Sequence, residues 1–209
     1  MGAFREAAEE AEPVVVLPRG FDSSEPTPLV IALHGTGGTG REMARAWRGA
    51  ARRVGAILVA PDALRPSGNG YAWVFRDESE WYVEKLIAEM REEYAIGEVV
   101  LVGFSQGANI ALAMGRSHPE LFDAVVPVCG HWEADAAGLP EAPAEGEEDD
   151  RPAWYLLIGE RDPWQATYDE AEELLGAAGM RVSVEKVRGL GHAMPRDRVL
   201  EGALRWCLE

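Results

Sequence analysis

A serine, a pair of acids and a histidine stand in this chain in an order and in surroundings that suit acyl transfer. Ser105 is the centre of Gly103-Phe104-Ser105-Gln106-Gly107, between an apolar stretch at 99–102 and a small-residue segment at 108–114. A tight turn from strand to helix leaves no room for side chains beside its central serine, and the two glycines meet that demand, which makes the pentapeptide a candidate nucleophile elbow. A serine hydroxyl is a weak nucleophile near neutral pH, so it needs a base within reach and a third group to orient that base. After Ser105 come Glu160 and Asp162, just beyond the apolar run 154–158, and then His192, bracketed by Gly189, Gly191 and Pro195. Asp162 is the candidate orienting acid, with Glu160 as the alternative, and His192 is the candidate base. Its rivals are less well placed: His34 precedes Gly35 in a turn, His118 precedes a proline, and His131 comes before the acids in the chain.

A fourth element is the glycine loop His34-Gly35-Thr36-Gly37-Gly38-Thr39-Gly40, which directly follows an apolar run at 29–33. Loops of this kind expose backbone N–H groups, which can face the oxyanion of a tetrahedral intermediate, with the N–H of Gln106 as a second donor. The loop lacks both the Gly-Lys-Ser/Thr ending of a phosphate loop and the Gly-x-Gly-x-x-Gly spacing of a dinucleotide site.

These residues need a frame, and the hydropathy pattern supplies one. Short apolar runs at 14–17, 29–33, 56–60, 99–102, 124–128, 154–158 and 182–187 read as strands, most of them continuous rather than alternating, as expected when both faces of a sheet are covered. Segments of helical period at 41–54, 80–94, 106–117, 164–178 and 196–208 alternate with them. The expectation is an α/β protein, a three-layer α/β/α sandwich with a mainly parallel sheet. At 209 residues one domain is the default, and the acidic stretch 139–152 reads as a solvated loop inserted into it.

The four motifs together resemble an α/β-hydrolase, and are most similar to the bacterial carboxylesterase/phospholipase family that includes the acyl-protein thioesterases. The similarity runs from about residue 29 to the C-terminus. It implies a compact fold without a large cap and a cofactor-free serine hydrolase acting on carboxylic ester or thioester bonds. It also implies a triad of Ser105, Asp162 and His192 and an oxyanion hole formed by the amides of Thr36 and Gln106. Thr36-Gly37-Gly38 stands where acyl-protein thioesterases usually show an Asp, and the acidic segment 141–150 resembles an insertion, so other esterases on this fold, feruloyl and polyester-cleaving ones included, are open. Two alternatives remain: a noncatalytic binding protein on the same fold, and an acyltransferase or lyase using the same triad.

Ligands of open α/β sheets bind beyond the carboxyl ends of the strands. Trp73, Phe75, Trp132 and Trp164, with Leu190 and Met194, fall there and are the candidate walls of an acyl or aryl pocket. A net charge of −16 argues against nucleic acid and anionic membranes as partners; the partner that the triad and the resemblance imply is a small ester substrate, and the sequence leaves the oligomeric state, monomer or homodimer, open. Cys129 and Cys207 match no disulfide framework, the pair Cys129-x-His131 is too sparse for a metal centre, and the first dozen residues lack an apolar signal segment. No metal or cofactor is expected, and the expected compartment is the cytoplasm.

Overall fold

The computed structural model of the protein describes residues 8, 11–133, 139, 142 and 149–209. Seven strands form one sheet: β1 (Val14–Val16), β2 (Thr27–Leu33), β3 (Ile57–Ala60), β6 (Ile96–Phe104), β7 (Ala124–Val128), β8 (Ala153–Gly159) and β9 (Val182–Val187). Their order is β1-β3-β2-β6-β7-β8-β9, and every pairing is parallel except that of β1 with β3. A separate antiparallel hairpin, β4 (Arg65–Ser67) and β5 (Gly70–Ala72), lies between β3 and the next helix. The continuous apolar strands are buried on both faces, with residues 29–33 and 99–102 fully covered. At roughly 1.5–3 kcal/mol for each large aliphatic side chain taken out of water, these central strands dominate the stability of the sheet.

Five helices cover the sheet among the described residues: α1 (Gly40–Val54), α2 (Arg76–Glu93), α3 (Gln106–Ser117), α4 (Gln165–Ala177) and α5 (Asp197–Cys207). Helix α1 packs on α5, and α2 on α3, so the mainly parallel sheet is flanked by helical layers. Helix α1 starts at a capping box in which Thr39 Oγ1 accepts from Glu42 N and Glu42 Oε2 accepts from Thr39 N. It ends at Gly55, whose φ of 77° suits a residue without a Cβ.

The expected elements are all present, with shifted ends. Helix α2 begins at Arg76 rather than 80, because Ser79 Oγ donates to the Phe75 carbonyl and Arg76 pairs with Glu80 one turn on. Its apolar stripe of Val83, Leu86, Ile87 and Met90 is buried. Most of the expected insertion at 139–152 lies outside the described residues. No helix among the described residues is long and apolar enough to cross a membrane.

Candidate active site

The loops that follow β2, β6, β8 and β9 meet at the carboxyl edge of the sheet. Ser105 sits between β6 and α3 with φ 53° and ψ −116°, a conformation that costs a residue with a Cβ about 1–3 kcal/mol. Neighbours hold it there: its N–H donates to the Val128 carbonyl of the adjacent strand at 2.9 Å, and its own carbonyl accepts from Asn109 N at 3.1 Å. The flanking glycines are required by contact. A Cβ on Gly103 would lie 2.2 Å from the Gly107 carbonyl oxygen, and one on Gly107 would lie 2.4 Å from the Leu33 carbonyl oxygen.

Ser105 Oγ donates to His192 Nε2 at 2.8 Å, and His192 Nδ1 donates to Asp162 Oδ2 at 2.8 Å. The carboxylate can only accept, so it fixes which ring nitrogen carries the proton and leaves Nε2 free to take one from the serine. The Asp162 side chain is fully buried, and its other oxygen accepts from Trp164 N at 2.9 Å. The acid and base loops are stitched together. Arg161 N donates to the Leu190 carbonyl, Glu160 N to the Val187 carbonyl, and Gly189 N to Glu160 Oε2. Glu160, the alternative acid, therefore serves the turn and does not face the imidazole. Gly159 permits the close approach, since a Cβ there would lie 2.4 Å from the Gly191 carbonyl oxygen.

The glycine loop runs against the serine: a Cβ on Gly35 would stand 3.2 Å from Ser105 Cβ. The amides of Thr36 and Gln106 donate to no other group among the described residues. Gln106 is the first residue of α3, where backbone N–H groups favour a developing negative charge. The hairpin braces the loop, with Gly37 N donating to the Tyr71 carbonyl at 2.8 Å and Tyr71 N to the Gly38 carbonyl at 3.0 Å. His34 is a buried strut rather than a base. Its Nδ1 donates to the Gly35 carbonyl and its Nε2 accepts from Ala63 N, and burial holds its pKa below the usual histidine range.

Of the six aromatic and apolar residues expected to wall a pocket, the structure brings only some to open space. Trp73 is 4% exposed and lies behind the glycine loop, its indole N–H donating to the His34 carbonyl at 2.8 Å, so it braces the loop instead of presenting a face. Trp132 is 1% exposed, fixed edge-on to Trp154 with the Arg116 guanidinium over its ring; it contributes to the base of a cleft of about 520 Å³ that Asn109, Arg116 and His131 also line. Leu190 is half-buried and acts through its carbonyl in the loop stitching. Phe75, beneath the Arg65 guanidinium, and Trp164, against the His131 ring and two residues after Asp162, are exposed. Met194 lines a mainly apolar cavity of about 240 Å³ together with Thr36, Met43, Ala46 and Phe104. Met43 and Ala46 are not recognisable from the sequence because helical apolar spacing in α1 reads simply as core, and Phe104, the last residue of β6, reads there only as a neighbour of Ser105. The pair Cys129-x-His131 does not converge, as Cys129 turns inward while His131 stacks on Trp164; Cys129 instead lies with Asp162 and His192, ligand-type atoms of the three being within 4.8 Å of one another.

A mostly parallel sheet between helical layers, with a strained serine at a strand-to-helix turn, defines an α/β-hydrolase architecture. The chain belongs to the alpha/beta hydrolase fold family, whose family model matches residues 28–164. It is 29% identical over 154 residues to NocK of Nocardia uniformis subsp. tsuyamanensis, a protein carrying the name of an esterase; the match covers 66% of this chain and 41% of that protein. The chain thus spans about two fifths of the length of the curated relative it matches. Among solved structures, esterase PE8 superposes with a TM-score of 0.76 at 22% identity, covering 94% of this chain and 99% of that one. The Bacillus cereus carboxylesterase superposes at 0.67 with 20% identity, covering 98% and 97%, and Atu2452 of Agrobacterium tumefaciens str. C58 at 0.68 with 26% identity, covering 96% and 98%.

Proposed function

We propose that this protein is a serine esterase that cleaves small carboxylic esters through an acyl-enzyme on Ser105. The observation that carries the reading is the continuous pair of 2.8 Å contacts from Ser105 Oγ through His192 to the buried Asp162 carboxylate. As the serine oxygen attacks the ester carbonyl, its proton passes to His192 Nε2, and Asp162 stabilises the imidazolium that forms. The carbonyl oxygen becomes an oxyanion facing the amides of Thr36 and Gln106; each such donor is worth on the order of 10² to 10³ in rate. His192 returns the proton to the departing alkoxide, and the alcohol leaves. Water then repeats the sequence on the acyl-enzyme, giving up a proton to His192 and releasing the carboxylic acid and free Ser105.

The esterase names of NocK, PE8 and the Bacillus cereus enzyme support the reaction class. The apolar cavity beside Thr36, with Met43, Ala46, Phe104 and Met194 on its walls, fits a short acyl or aryl group. Thioesters share the same acyl carbon chemistry and fall within the proposed range. Two free, buried cysteines suit a reducing compartment such as the cytoplasm.

The test is a panel of p-nitrophenyl esters of graded acyl length, with thioesters and aryl esters alongside, run on the protein and on Ser105→Ala. Hydrolysis that prefers short acyl groups and vanishes in the variant is expected. Turnover that survives Ser105→Ala would remove the reading.

A further inference from the structure

Two hollows flank the end of β6, and their chemistry is opposite. Strand β6 lies between β2 and β7 in the sheet, so Ser105 separates what gathers at the ends of those two strands. On the β2 side is the apolar cavity of about 240 Å³ beside the glycine loop. On the β7 side is the cleft of about 520 Å³, bounded by Arg76 at the start of α2, by one face of α3, and by His131, Trp132 and Glu133 after β7. Asn109, Leu112, Ala113, Arg116 and Ser117 recur at helical spacing on that face, so the cleft extends about 12 Å along α3 at 1.5 Å per residue.

The upper end of the cleft adjoins the triad. Asn109 N donates to the Ser105 carbonyl, Asn109 Oδ1 accepts from His131 N at 2.8 Å, and the His131 ring stacks on Trp164, whose N–H donates to Asp162. Polar atoms are free at this end. The Asn109 amide nitrogen, the His131 ring nitrogens and the exposed Glu133 carboxylate have no hydrogen-bond partner among the described residues. An amide donor, an imidazole that can donate at one nitrogen and accept at the other, and a carboxylate acceptor together suit hydroxyl groups, each of which donates and accepts. An anion fits less well. Glu80, which accepts from Arg76 Nε at 2.6 Å, and Glu133 bring as many negative charges to the cleft as Arg76 and Arg116 bring positive ones, and Arg116 lies over the Trp132 ring.

We infer that the alcohol arm of the substrate lies in this cleft and carries several hydroxyl groups, as in a sugar or polyol, with Asn109, His131 and Glu133 selecting it. The inference rests on the serine esterase reading. The two arms of an ester leave its carbonyl carbon in different directions, so one can enter each hollow. Desolvation decides which: a short acyl chain gains from burial in the apolar cavity, where hydroxyl groups would lose water with few partners to replace it. Hydrolysis then consumes one water. The alcohol oxygen takes its proton from His192 and departs through the cleft, and the short carboxylic acid is released from the cavity.

The test measures kcat/KM for the monoacetates of methyl glucoside, methyl xyloside and glycerol against ethyl acetate and O-acetyl lactate. It uses the parent protein, His131→Leu, Glu133→Leu and Glu133→Gln. At least one hydroxylated monoacetate should exceed ethyl acetate by about thirtyfold or more, and whether a glycoside or glycerol leads tells a sugar arm from a small polyol. Each Leu variant should cut that ratio about five- to tenfold, while Glu133→Gln, which keeps an acceptor, retains most of it. A ratio near one in the parent protein, a ratio unchanged in both Leu variants, or O-acetyl lactate ahead of every hydroxylated ester would overturn the inference. Binding is read without turnover by NMR titration of Ser105→Ala with methyl glucoside, methyl xyloside and glycerol. Shifts of the His131 signal, assigned by its loss in His131→Leu, are expected with a dissociation constant in roughly the millimolar range for at least one of them. Binding by a protein that cleaves no ester, p-nitrophenyl acetate included, would count against the esterase reading and not against the cleft. Cleavage of p-nitrophenyl acetate with neither binding nor preference would overturn the inference alone.

Discussion

The side-chain amide of Gln106 closes on both main-chain polar groups of Trp73: its Oε1 accepts from Trp73 N at 3.0 Å and its Nε2 donates to the Trp73 carbonyl at 3.3 Å. Trp73 in turn donates its indole N–H to the His34 carbonyl, so the start of α3 and the glycine loop are tied through one aromatic residue. Gln106→Ala removes two hydrogen bonds and should cost about 1–3 kcal/mol of stability. Gln106→Glu keeps the shape but sets an acceptor against the Trp73 carbonyl, and should depress kcat/KM further than Ala does. Urea unfolding and ester kinetics on the two variants check this, and equal kinetics would contradict it.

Gly107 bears on both the fold and the site. A Cβ there meets the Leu33 and His34 carbonyl oxygens at 2.4 and 2.6 Å, and backbone atoms cannot move aside as a flexible side chain can. Gly107→Ala should destabilise by about 3 kcal/mol and abolish ester turnover even where the variant folds. Gly202→Ala, in α5 with nothing near its Cβ position, is the matched control and should be neutral or stabilising in the same unfolding assay.

His34 predicts a pH dependence of stability. Burial lowers its pKa in the folded protein, so on acidification the unfolded chain takes up this proton first. The unfolded state then holds more protons, and stability rises with pH through this window. The contribution of neutral His34 is complete above its ordinary value of about 6.5 and is lost as pH falls toward the lowered folded value. His34→Gln can still accept from Ala63 N but does not titrate. Urea midpoints between pH 7.5 and 5 should fall more steeply for the parent protein than for this variant.

The cavity beside the glycine loop should set acyl length, and the buried tryptophans should not. Ala46→Phe fills space near Met43 and Met194, so hexanoate and octanoate esters should slow by about tenfold or more while acetate stays within about twofold. Trp132→Ala should instead cost about 3–5 kcal/mol of stability and leave the ratio of acetate to octanoate rates unchanged. Steady-state rates across the ester series distinguish these outcomes.

The frame was readable because its signals are local. Continuous apolar runs marked the buried strands, and the residues at the turns after β6, β8 and β9 announced Ser105, Asp162 and His192, which the fold does bring into contact. The β4–β5 hairpin was not legible: Arg65-Pro66-Ser67 and Gly70-Tyr71-Ala72 are too short for periodicity, and their stability comes from bridging to Gly37 and Gly38. Without the hairpin, Trp73 looked like a rim residue. Trp132 looked the same, because position after a strand says nothing of whether an indole turns to the core. Cys129 gave no hint of its left-handed backbone, which depends on contacts from β8 and the His192 loop.

Intact-mass and peptide analysis of the folded protein after treatment with a fluorophosphonate tests the central claim most directly, because the probe requires a serine activated by its neighbours. One adduct per chain is expected, on Ser105, lost in Ser105→Ala and strongly slowed in His192→Gln and Asp162→Asn. Folded protein that remains unlabelled, or is labelled on another residue while ester hydrolysis persists, would contradict it.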